Sequence, residues 1–476
     1  MRARIFAEEN RKWWTLGAVS FGLFMIMLDN TVVFVALSAI QEDLQISTSE
    51  LQWVVTGYAL TFAVLMLSGG KLADMFGRRR LFIVGLVIFT AASLACGLAT
   101  GAESLIGARI VQGVGAALMN PATLSIITAT FPPRQRGTAI GIWVGVSAMA
   151  LAIGPLVGGV LTEHINWSWI FFINVPVGIA GILVARFAID ESRDESEEQR
   201  LDLPGLISSG VGLFALTYGL IESNSYGWTS GRILGSFAVA GLALVIFVLL
   251  ELHQRVPMLD LSLFKDPTFA GANTVMLLVA LAMFGVFFFN SLYLGNILHY
   301  SPIQIGATFL PMTILIVFVA PLAGKFSDKV GSRWLMGAGL VLLSASLLSF
   351  SMLDLDSNFW DILPGLLLGG VGMSLAMTPT TAAAMGSVPV DKAGVGSAVL
   401  NSMRQVGGSL GIALMGAIVA ASIHVPPTDP RAPSQFIDGY QNALRVAAAI
   451  ALVGAAVAVL TVRKVRHPEV PVLEGA

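Results

Sequence analysis

The chain has 476 residues, 55% of them hydrophobic and 12% charged, with a formal net charge of −2. Soluble domains carry roughly 25% charged residues, so this composition, with a mean hydropathy of +0.80, cannot cover a water-facing surface of such size. The near-zero charge gives no reason to expect a nucleic-acid partner. The single Cys96 excludes an internal disulfide or thiolate cluster, and His164, His253, His299, His424 and His467 include no pair at ligand spacing, so no metal is expected.

Arg2, Arg4, Arg11 and Lys12 precede an apolar run over 13–37. That run is longer than the roughly 7–15 residues of a signal-peptide core, and it reads as an uncleaved first span. A bilayer takes about 20 apolar residues per helix, and lipid obliges each crossing to be helical. Applied along the chain, that length finds fourteen candidates, centred at about residues 25, 60, 90, 116, 149, 178, 213, 242, 281, 313, 343, 373, 408 and 451.

Lys and Arg accumulate on the cytoplasmic side of membrane proteins. With the N-terminus inside, the inner segments hold 22 of the 27 basic residues and the outer loops only Arg232 and Arg431. Arg109, Arg404 and Arg445 fall within spans. The asymmetry holds to the last loop and predicts that both termini are cytoplasmic.

The loop after the second span reads Gly70-Lys-Leu-Ala-Asp74-Met-Phe-Gly77-Arg78-Arg79, and the loop after the tenth reads Gly324-Lys-Phe-Ser-Asp328-Lys-Val-Gly331-Ser332-Arg333. Gly, Lys, Asp, Gly and Arg recur at the same spacing. Duplicated halves are common in secondary transporters. Eight spans between the loops fit a six-helix repeat with two helices inserted: an N-terminal bundle over 1–189, an acidic linker (from Asp190 to Asp202) with two inserted helices over 190–262, and a C-terminal bundle with a short tail over 263–476.

Asp29 lies roughly 13 Å deep in the first span and Arg109 roughly 9 Å deep in the fourth, at 1.5 Å per residue. A buried carboxylate is costly to keep charged and marks a functional position by default; the alternative is a structural ion pair. Asp29 and Arg109 are therefore the expected proton-coupling pair, with Asp29 also facing substrate. Asn401, Arg404 and Gln405 share one face of the thirteenth span and either line a central cavity or bond between helices. Asn290 and Tyr293, beyond Phe287-Phe288-Phe289, are further cavity candidates.

These segments resemble the major facilitator superfamily, and within it the fourteen-helix drug:proton antiporters. The resemblance rests on Gly70-x-Leu72-Ala73-Asp74-x-x-Gly77-Arg78-Arg79-Arg80, on Leu105-x-x-x-Arg109-x-x-Gln112-Gly113-x-Gly115, and on Gly141, Gly154-Pro155 and Gly158-Gly159 in the fifth span. Leu28-Asp29-x-Thr31, Trp167-x-Trp169 with Asn174-x-Pro176, Leu201-Asp202-Leu203-Pro204-Gly205 and Asn401-x-x-Arg404-Gln405-x-Gly407-Gly408 point to the branch. Ala150, Phe34 and Ser38 depart from its pattern.

The resemblance implies a multi-pass cell-membrane protein, not an enzyme. It would export small amphipathic compounds by alternating access, acting as a monomer, with the proton gradient as driving force and no cofactor. The fifth-span glycines would let helices approach closely, and Pro155 would bend the helix. Gly70, Asp74, Gly77 and Arg78, with Asp328, Gly331 and Arg333, would latch the two bundles at the cytoplasmic mouth. A dedicated exporter of one metabolite or antibiotic would look the same, while an importer, a passive channel or a membrane enzyme finds less support: there is no phosphate loop, nucleophilic triad or charged filter ring. With Asp29 alone deep in a span, neutral, zwitterionic or monocationic substrates are expected over dications.

Overall fold

The computed structural model describes residues 8–193, 201–254, 257–389, 392–426 and 428–463. Every predicted span is a helix: α1 (Glu8–Leu44), α2 (Thr48–Phe76), α3 (Arg78–Gly97), α4 (Ala102–Thr130), α5 (Pro133–His164), α6 (Asn174–Ala188), α7 (Leu203–Tyr226), α8 (Gly231–His253), α9 (Pro267–Leu292), α10 (Leu310–Val330), α11 (Ser332–Phe350), α12 (Phe359–Gly386), α13 (Ala393–Ser422) and α14 (Ala432–Thr461). Each, with its flanking turns, is long and apolar enough to cross a bilayer. A helical turn, Trp169–Phe172, leads into α6, and a π-turn (Tyr293–Ile297) and a short helix (Pro302–Thr308) join α9 to α10.

The helices begin where the sequence offers caps. Ser47 with Glu50, Ser301 with Gln304 and Asn358 with Asp361 each satisfy two otherwise orphaned amides. Gly77 and Gly331 each end one helix and start the next, with φ of +107° and +95°. A Cβ is strained there, which explains why glycine stands at this point in both copies of the loop.

The repeat extends to packing. In the first half α1 meets α4, α5 and α6, while α4 meets α2 and α3, and α3 meets α6; α9 to α14 repeat each of these contacts. Lipid offers no hydrophobic drive between helices, so close approach relies on small residues. A Cβ on Gly85 would lie 2.8 Å from the Gly115 carbonyl oxygen, and one on Gly339 would lie 2.7 Å from that of Gly372. Helices α7 and α8 pair with each other, and α7 rests on both α2 and α13, bracing the join between halves.

Contacts between α1 or α5 and the second half gather at one end. There Ser291 donates to the Phe34 carbonyl, Asn296 to Gln41 at 3.0 Å, and the Ile303 amide to Glu163 at 2.9 Å. Gly159 abuts Pro302, and Gly306 abuts the Pro155 carbonyl. Toward the other end of α5, a Cβ on Gly137, Gly141 or Gly145 would meet nothing within 4 Å. Helices α2 and α13 stay together further along, through Gln52 to the Ile412 carbonyl (3.5 Å) and Ser402 to the Ala63 carbonyl (3.1 Å). The halves thus meet along α2–α13 and part along α5.

Candidate functional site

Asp29 and Arg109 form an ion pair at 2.5 Å, 0% and 1% exposed. Stripping two charges of water costs several kcal/mol per ion unless their remaining valences are filled, and here nearly all are. Gln112 Nε2 donates to Asp29 Oδ1 at 2.9 Å and Asn174 Nδ2 to the same oxygen at 3.5 Å. Arg109 donates from Nε to the Val54 carbonyl at 3.1 Å and from Nη1 to Gln112 Oε1 at 2.6 Å. Ser93 accepts from Gln112 and from Asn174. The guanidinium also lies 4.2 Å from the centre of the Tyr58 ring.

The network thus unites α1, α2, α3, α4 and α6. Sequence reasoning did not assign Gln112, Asn174, Ser93 or Tyr58 to it. Gln112 and Asn174 nonetheless stood in motifs already noted, and their spacing to Asp29 exists only after folding. Among the described residues, the second half shows no such network. Gly372 occupies the place of Gly115, so Leu366 and Gly369 stand where Arg109 and Gln112 stand in the first half. Those two residues line an apolar void of about 20 Å³, room for about one water.

Asp29 is enclosed by the first bundle, 0% exposed, and its neighbours Asn30 and Thr31 are half-buried. Tyr293 is also no cavity residue. It is 1% exposed, stacks on Tyr440 at 5.2 Å and donates to the Asp354 carbonyl at 2.6 Å. Asn290 accepts from Tyr440 at 2.5 Å and faces the small void. Asn401 bonds back to the Ser397 carbonyl of its own helix at 3.0 Å. Arg404 is partly accessible, but its Nε is enclosed without an acceptor, as is the Nε2 of Gln405.

The glycines of α5 divide. Gly154 packs on Thr31, Gly158 on Val32 and Gly159 on Pro302, as close approach requires. Gly141 and Gly145 touch nothing within 4 Å, which corrects the expectation of tight packing there. Gly70 approaches Pro121 of α4 at 3.4 Å, within its own half.

The latch is also different from the one expected. Asp74 accepts two hydrogen bonds from Arg78 at 2.9 Å, and the Arg78 amide donates to the Ser192 carbonyl at 2.9 Å. In this conformation the α2–α3 turn is therefore tied to the segment after α6, within one half, and among the described residues it makes no bond to the other half. In the second loop, Arg333 lies 4.7 Å over the Trp334 ring, and the side chain of Asp328 lies outside the described residues. A cross-connection does occur further along. Asp260, in the segment after α8, pairs with Lys392 before α13 at 2.6 Å, and that hydrogen bond holds the Asp260 carboxyl below its ordinary range.

The sequence matches the profile of the Major Facilitator Superfamily over residues 19–412 and 274–475. The chain belongs to that superfamily. It is 34% identical to the tetracenomycin C resistance and export protein of Streptomyces glaucescens, across 95% of this chain and 92% of that protein. It is 35% identical to the puromycin resistance protein pur8 of Streptomyces alboniger, across 93% and 89%. A bacterial homolog of the human lysosomal transporter Spinster shares its fold with a TM-score of 0.69 at 18% identity, across 96% of this chain and 98% of that one. This superfamily member is a transporter and not an enzyme, and a multi-pass protein of the plasma membrane.

Proposed function

We propose that the protein is a proton-coupled antiporter that exports small amphipathic compounds by alternating access. The observation that carries this reading is the Asp29–Arg109 pair, the one ion pair among the described residues with both partners essentially unexposed. A proton on Asp29 would cancel the charge that holds Arg109, and its neighbours would have to rearrange. Relatives named for drug resistance and export support outward transport of organic molecules. With both termini cytoplasmic, the α1–α9 and α5–α10 contacts fall on the outer side, so the cleft beside α5 opens inward, ready to load substrate. The division into bundles over 1–189 and 263–476 flanking an insert, and action as a monomer, complete the reading.

The test is flux of fluorescent amphipathic dyes, cationic, neutral and anionic, in proteoliposomes under an imposed pH gradient. Wild type should be driven by the gradient, and Asp29→Asn should lose that drive while retaining gradient-independent exchange. Gradient-driven transport by Asp29→Asn would make the residue structural and move the coupling site elsewhere.

A further inference from the structure

Helix α13 runs between the halves, packed on α2 and α7 on one side and on α9 and α14 on the other. Arg404 sits near its middle, some 16 Å from the α13 start at 1.5 Å per residue, at membrane depth. Among the described residues it has no carboxylate partner and its enclosed Nε has no acceptor. The ionisable group that faces it is Tyr58. A charge at this depth is ordinarily paired, and Arg109 shows how thoroughly this fold pairs one.

The surroundings of Arg404 share the same deficit. The Thr61 hydroxyl and Gln405 Nε2 are enclosed with no hydrogen-bond partner, and the enclosed Tyr58 hydroxyl has at most the Asn30 side chain. Tyr58 and Thr61 stand on α2 and Gln405 on α13, two helices joined where Ser402 meets Ala63 and Gln52 meets Ile412. Each can donate a proton. Enclosed polar groups are nearly always satisfied, so a donor-rich cluster with an unpaired cation is short of acceptors. An oxyanion would supply the acceptors and the counter-charge, and an arginine fork binds one in two parallel bonds.

We infer that the cleft selects substrates bearing an oxyanion (carboxylate, enolate or phenolate) on an apolar body, bound by Arg404 and Tyr58. This rests on the exporter reading and replaces the expectation of neutral, zwitterionic or monocationic substrates over dications that Asp29 suggested, since Asp29 is sealed inside the first bundle. The site also touches the proton pair. The Tyr58 ring lies against Arg109, and the tyrosine is also an electrostatic neighbour of Arg404, so binding at one arginine is felt beside the other.

The test is equilibrium dialysis with purified full-length protein in nanodiscs, using 2-naphthoate, its isosteric carboxamide and 2-naphthylmethylammonium, with no pH gradient. Wild type should bind the carboxylate at least tenfold tighter than the amide, and the ammonium should not displace it. Arg404→Gln should bring carboxylate and amide within twofold of each other. Arg404→Lys should keep part of the preference, and Tyr58→Phe should weaken it. Labelling of the buried Cys96 reports whether each variant is folded. A purely structural Arg404 would shift both ligands together. Equal binding by wild type, absence of carboxylate binding, or a preference that survives in folded Arg404→Gln would overturn the inference. Failure of the antiport reading is separable: it appears as gradient-driven flux in Asp29→Asn and leaves these affinities unchanged.

Discussion

The Asp29–Arg109 pair makes a quantitative prediction about stability. Arg109→Met leaves the Asp29 carboxylate with two amide donors, from Gln112 and Asn174, and no cation. Asp29→Leu leaves the guanidinium with the Val54 carbonyl and Gln112 Oε1 alone. Removing one partner of a buried pair costs about 3–5 kcal/mol, whereas replacing both by apolar groups of similar volume is near neutral. The double variant should therefore be more stable than either single one, with a coupling energy of several kcal/mol. Cys96 is a local reporter, since it is fully buried and its Sγ lies 3.8 Å from Gln112 Oε1. Its labelling by a thiol-reactive dye measures the open population. Each single change should raise that rate by roughly two to three and a half orders of magnitude, at about 1.4 kcal/mol per tenfold, and the double change should bring it back most of the way. A double variant as labile as the sum of the singles would refute the account of a mutually neutralised pair.

Three further outcomes follow from packing and charge. Gly85→Val should unfold the first bundle or cost at least about 1–3 kcal/mol by overpacking against Gly115, while Gly145→Ala, with nothing within 4 Å, should stabilise by about 0.4–1 kcal/mol; thermal melts of both variants check this. Gly159→Val should wedge the α5 end away from Pro302, where a Cβ already comes within 2.6 Å of the carbonyl oxygen, and should increase labelling of a cysteine placed at Ser38. Asp260→Asn keeps the cap on Ser262 but loses the charge facing Lys392. The folded carboxyl is held below its unfolded value, so its contribution is present above about pH 4 and fades as the pH falls further. With both partners partly exposed, that contribution is about 0–1 kcal/mol: denaturation midpoints of wild type and variant should differ slightly at pH 6 and converge toward pH 3.

The fold was legible because its determinants are local. Span length, loop charge and the repeated Gly-x-x-x-Asp-x-x-Gly spacing each act within a few tens of residues, and lipid leaves helices as the available answer. The pairing of Asp29 with Arg109 was reachable from depth alone. Gln112, Asn174 and Ser93 were not, since their roles depend on which faces of α3, α4 and α6 converge on α1. Tyr293 failed as a cavity residue for the same reason. Its helix turns it toward Tyr440, which no count along the chain anticipates. Gly141 and Gly145 looked like Gly154 and Gly158, but the halves part before reaching them. Asp74 and Arg78 satisfy one another at i and i+4, a local solution that preempts a partner across the mouth.

The two halves share their helix contacts almost pair for pair, yet the buried charges lie in one and the unpaired arginine in the other. A symmetric scaffold gives the rocking motion two equivalent levers, and asymmetry in charge gives the two levers different work. In the proposed antiporter, protonation would act inside the first bundle, on α1 and α4, and substrate would meet α13 of the second. Helix α2 belongs to the first bundle but packs along α13, and it places Tyr58 against Arg109. Exchange of a proton for a substrate needs each to sense the other without sharing one carboxylate, and in the proposed mechanism α2 would supply that connection, since it packs on both α4 and α13.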